Sequence, residues 1–94
     1  MDKYLMNLAK KIPSDWKNLA IFVNISDEKI KQIEIDEREV VRQGYTMLKY
    51  WWNSRHKKIL WYEELANAII ASTNNRDLAE KIKKEGPAIN VRYR

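Results

Sequence analysis

The chain has no cysteine, two glycines, two prolines, one histidine and one phenylalanine among its 94 residues. Each scarcity excludes something. Without cysteine there is no disulfide scaffold, no thiolate zinc site and no cysteine nucleophile. The one histidine, His56, stands in a lysine-rich stretch and is expected to be solvated, so neither a histidine metal cluster nor a serine–histidine couple is encoded. There is no glycine-rich phosphate loop, and the paired acids Asp27–Glu28 and Glu63–Glu64 fall at expected helix starts, where the helix dipole accounts for them. The sequence therefore predicts no enzyme, no metal and no cofactor. No apolar run approaches the roughly 18 residues of a membrane-crossing helix, and the opening MDKYLMNLAKK lacks the apolar core of a signal peptide. The expected location is cytosolic or nuclear, with cytoplasmic the preferred reading.

What is present is an ordinary folding balance, 45% hydrophobic and 33% charged, in a length that suits one core rather than two. The net charge is +5, from 18 basic and 13 acidic residues, and it is unevenly spread. From Asp27 to Glu39 six acids face three bases, whereas Val40 to Tyr62 holds five bases and no acid. Opposite charges on separate parts of one molecule suit head-to-tail docking.

Apolar residues recur at helical spacing along nearly the whole chain. Leu5, Leu8, Ala9 and Ile12 form a first stripe that Pro13 interrupts, and Ser14 is expected to cap a second with Trp16, Leu19, Ala20 and Val23. These read as two pieces of one bent or split helix. A sharp corner follows. Asn24 tolerates the left-handed backbone that ends many helices, Ser26 is a good N-cap, and Ile25 with Ile30 fits a hydrophobic staple. Ile30 and Ile33, closed by Ile35, form a short stripe. A long helix from about Glu37 to Asn53 carries Val41, Tyr45, Leu48 and Trp52 beside Val40, Met47 and Trp51. Leu65, Ala66, Ile69 and Ile70 mark another helix. A last one, capped by Asn74 or Asn75, carries Leu78, Ala79 and Ile82 and is expected to end at Gly86–Pro87. The predicted architecture is an all-α antiparallel bundle over residues 2–85, with 86–94 as a tail or linker.

The strings W-x-x-L-A-x-x-V-N-I-S from Trp16, I-x-x-I-E from Ile30, M-L-x-x-W from Met47, E-E-L-A-x-A-I from Glu63 and R-D-L-A-E-K-I from Arg76 occur in this order. Together they resemble a death domain, over about residues 5–85. Among death domains the chain is similar to the adaptor type, such as the Fas-associated adaptor. The resemblance implies a six-helix bundle with a bent or split first helix and a short third helix over the acidic turn Asp36, Glu37 and Glu39. It also implies binding to another death-domain protein, whether receptor, adaptor, kinase or a second copy in a helical oligomer, in apoptotic or innate-immune signalling. Three contacts carry over. One sets Asp27, Glu28 and Glu34 against Lys10, Lys17 and Lys49. A second uses Arg55, Lys57 and Lys58, and a third centres on Asp36, Glu37 and Arg38. Asn24 stands where the family has glycine, and Leu60, Trp61 and Tyr62 stand where it has a small residue and a threonine cap.

Trp52 has two readings. Adjacent helix residues point about 100° apart, so Trp51 and Trp52 cannot face one core contact. Trp52 either projects as an interface anchor or tucks against the rim on Trp61. A second functional reading is a small basic binder of single-stranded nucleic acid, with Trp51, Trp52 and Trp61 as stacking rings. Against it, 12 of the 18 bases are lysine and the acidic run repels phosphate.

Overall fold

The computed structural model describes residues 1–54 and 60–92, with side chains to Ile89. Its helices are α1 (Asp2–Lys11), α2 (Trp16–Phe22), α3 (Asp27–Asp36), α4 (Val40–Ser54), α5 (Trp61–Thr73) and α6 (Arg76–Arg92). The break at Pro13 is where the sequence places it. Ile12 leaves helical backbone and a turn over 13–15 leads into α2, with Asp15 rather than Ser14 at its N-cap position. Each stripe then turns onto a neighbour. α1 lies on α4, α2 on α4 and α5, α3 on α4, and α5 along α6. Neighbours run antiparallel: Lys49, late in α4, pairs with Asp2 at the start of α1, while Gly44 sits against Ala9.

The corner between α2 and α3 forms by local rules. Asn24 adopts φ 65°, and the Ile25 N–H reaches back to the Ala20 carbonyl at 3.0 Å while the Asn24 N–H bonds that of Ile21 at 3.1 Å. This double closure satisfies carbonyls that a helix end otherwise leaves open. Ser26 then caps α3, its Oγ accepting from the Lys29 N–H at 3.2 Å, and Ile25 and Ile30 are both buried as a staple requires. At the other end of the molecule Asn74 takes φ 56° to close α5, and Asn75 caps α6 through a 3.1 Å bond from the Leu78 N–H.

Three details differ from expectation. The short third helix over the acidic turn does not form: Asp36 closes α3, Glu37 is extended, and α4 starts at Val40. The sequence there is rich in like charge, and Glu37 is engaged elsewhere, as shown below. Ile35 does not close the α3 stripe but is 81% exposed, because five residues on from Ile30 turn it roughly 140° around the helix. Finally, α6 passes through Gly86–Pro87 to Arg92 instead of ending there. Gly86 has no positive φ; it is buried where α6 crosses the start of α5, and a Cβ there would overlap the Cβ and ring of Tyr62. This glycine serves close approach rather than helix termination, and half-buried Ile89 continues the packed face beyond it.

Candidate partner-binding surfaces

The core fixes which side chains remain for binding. Trp61, which the sequence reading treated as a departure, is its aromatic centre and is fully buried. The ring meets Tyr4 at 5.9 Å, Trp52 at 5.3 Å and Tyr62 at 5.5 Å, each edge-on, and Trp52 is tilted against Trp51 at 6.2 Å. Edge-on aromatic pairs add about 0.5–1.5 kcal/mol to the area they bury. Trp52 is therefore half-buried in this cluster, and the projecting-anchor reading gives way to the rim-packed one. The Trp51 indole N–H donates to Glu64 Oε1 at 3.3 Å, which joins α4 to α5.

On the acidic side, α3 and the segment after it hold two classes of carboxylate. Glu37 is structural. Its backbone carbonyl accepts from Gln43 Nε2 at 2.8 Å, and its carboxylate accepts from Thr46 Oγ1 at 3.4 Å and lies 3.8 Å from Arg42 Nε. Gln43 in turn accepts from the Trp16 indole at 3.1 Å, so one chain of polar bonds ties α2, α4 and the α3–α4 segment together. Asp27, Glu28, Asp36 and Arg38 are exposed and form no ion pair among the described residues.

The remaining charges expected at contacts are less separated than the sequence suggests. Glu34 and Lys17, expected on opposing surfaces of two molecules, pair within one molecule across α2 and α3. Lys49 is likewise bound to Asp2; that ammonium holds the Asp2 carboxyl below the usual carboxylate range, and Asp2 in return raises Lys49. Helix packing brought these partners together, and sequence spacing held no signal for it. Lys10 is exposed on α1. Arg55, Lys57 and Lys58 lie outside the described residues, as does His56.

The sequence reading passed over a surface feature, the exposed apolar residues. Ile21 and Phe22 at the end of α2, Ile35 at the end of α3 and Val40 at the start of α4 are all exposed. A helical-wheel count would have flagged Ile35. Among the described residues no cluster of acidic and histidine side chains is arranged to hold a metal, and no helix is long and apolar enough to cross a membrane.

Comparison with curated proteins and with solved structures finds no match to the chain. A sequence model of the family described as Death domain matches residues 2–86, which spans α1 to the crossing of α6 over α5. The chain belongs to the death-domain family, whose members are protein–protein interaction modules of apoptotic and inflammatory signalling.

Proposed function

We propose that this domain binds other death domains, in hetero- or self-association, to assemble an apoptotic or innate-immune signalling complex in the cytoplasm, without covalent chemistry. The family match over 2–86 carries this reading. The surface supports it: Asp27, Glu28 and Asp36 are exposed without an ion pair among the described residues and suit a basic partner face, as Lys10 suits an acidic one. Ile35, between Glu34 and Asp36, offers an apolar centre to the contact built on Asp36 and Arg38. Glu34 with Lys17, and Lys49 with Asp2, join a contact by exchanging partners, which exposed ion pairs do at little cost. Arg55, Lys57 and Lys58 form a basic second contact, and the domain plays the adaptor part in such a complex.

The nucleic-acid reading has no support. Its stacking rings are used in the core: Trp51 and Trp61 are buried and Trp52 packs on Trp61. The experiment is a binding screen of the domain against purified death domains, with labelled single-stranded and duplex nucleic acid alongside, at two salt concentrations. Salt-sensitive capture of a death domain with no nucleic-acid shift is the expected result. Nucleic-acid affinity that falls steeply with salt, with no death-domain capture, contradicts it.

A further inference from the structure

α1 and α6 run antiparallel, with Tyr4 near Glu85 at one end and Lys11 near Lys81 at the other. Between them lies a groove of about 150 Å³. At roughly 30 Å³ for each water-sized unit, it has room for a group of about five heavy atoms. Its floor is apolar, formed by the buried Leu8, Leu78 and Ile82.

The rim is polar and unbalanced. Lys11 and Lys81 line the groove together at one end, and the neighbouring Lys81 holds Lys11 below the usual lysine range. Glu85 faces the same groove but forms no ion pair with either lysine among the described residues. Tyr4 also lines the groove, and its buried hydroxyl has no hydrogen-bond partner among the described residues. Burial, helped by the Glu85 carboxylate, pushes that phenol up to about 12, so it stays a donor at every physiological pH. Within the groove two ammonium groups stand against the one carboxylate of Glu85, with Asp77 in the adjoining depression beside the same two lysines, so a singly charged carboxylate suits the site better than a phosphate dianion.

We propose that the α1–α6 groove binds one glutamate side chain of a partner protein, its stem on Leu8, Leu78 and Ile82 and its carboxylate between Lys11 and Lys81. A glutamate side chain is about the size the groove admits. The site is separate from the α3 surface, and it rests on the reading of this domain as a protein-binding module.

The test is a titration of isotope-labelled protein with N-acetyl-glutamate N-methylamide, read from backbone amide shifts of Asn7, Lys11, Leu78 and Lys81. The glutamine analogue serves as the neutral control. The glutamate probe should give saturable shifts confined to α1 and α6 with a Kd of about 1–10 mM. The affinity should fall at least tenfold for the glutamine probe and for Lys11→Gln with Lys81→Gln. Both lysines are exposed, and circular dichroism checks that the variant keeps its helices, with Lys81→Gln alone as the replacement if it does not. Equal shifts from both probes, unchanged binding by the variant, or no saturable shift in the wild type overturns the proposal. If the domain captures no death domain yet takes up the glutamate probe, the interaction reading fails and the groove stands. Capture without probe binding sinks the groove alone.

Discussion

Gly86→Ala should destabilise the domain while Gly44→Ala should stabilise it, although both glycines are buried in helices and neither has a positive φ. An alanine at either site recovers helix propensity of about 1 kcal/mol. At Gly44 the added methyl would meet the Trp16 and Ala9 Cβ atoms at 3.4 and 3.5 Å, ordinary contact distances, so most of that gain should survive. At Gly86 it would overlap Tyr62 at the base of its side chain, where no rotamer change relieves the clash. Tyr62 is itself edge-on to the fully buried Trp61 at 5.5 Å, which limits its retreat. Such overpacking costs about 1–3 kcal/mol, so the net effect is a loss of up to about 2 kcal/mol. In a domain this size each 1 kcal/mol moves Tm by about 4–8 °C. Urea titrations followed by tryptophan fluorescence should therefore separate the two variants by about 1–3 kcal/mol in opposite directions. Because the Tyr62 Cβ is itself one of the overlapping atoms, Tyr62→Ala should not rescue Gly86→Ala, whereas in a Tyr62→Gly background Gly86→Ala should no longer cost stability. If Gly86→Ala stabilises as Gly44→Ala does, α6 does not cross α5 this closely and the account of its continuation past Pro87 is wrong.

Trp61→Ala should cost about 3–5 kcal/mol in urea unfolding, since it empties the aromatic centre, and a loss below 1 kcal/mol would contradict that placement. Asn24→Val should cost about 1–2 kcal/mol and Asn24→Gly little, because φ 65° penalises a β-branched side chain; equal losses would refute the corner. The Tyr4 phenol is raised to about 12 in the folded chain from 10.0, so the protein loses stability as pH climbs from 10 toward 12, when only the unfolded state ionises. Tyr4→Phe should remove that alkaline loss and leave neutral-pH stability equal or higher, as its hydroxyl has no partner to lose among the described residues. Asp2 is lowered by Lys49, so its small contribution is present above the normal carboxylate range and fades as pH falls through the folded value; Asp2→Asn should flatten the acid limb slightly.

The fold was legible because its determinants are local. Pro13 breaks a helix by lacking an N–H, and Asn24 and Ser26 end one helix and start another within a few residues. The α6 terminus is not legible in the sequence because a Gly–Pro pair normally marks a stop, while here the glycine answers to Tyr62, twenty-four residues away in sequence and visible only in packing. Glu37 looked like part of a charged binding run and is a polar bracket for α4, a role set by Gln43 and Thr46 on the next helix. Lys17–Glu34 and Lys49–Asp2 show the same limit: charge counts along a chain do not say which ions the fold pairs. What the sequence did locate on the surface lies at helix ends and on helix faces set by the apolar stripes (Asp27, Glu28, Asp36 and Lys10) or in the segment between α3 and α4 (Arg38).

The central claim is that this helical body associates with death domains through complementary charge around Asp27 and Asp36. Its direct measurement is light scattering of the wild type and of Asp27→Lys with Asp36→Lys, alone and with the death domain captured in the screen, at about 0.05 M and about 0.5 M salt. The account predicts that the wild type forms a complex at low salt that weakens at high salt, and that the variant, with an unchanged circular dichroism spectrum, stays monomeric. A folded variant that assembles as well as the wild type at both salts contradicts it.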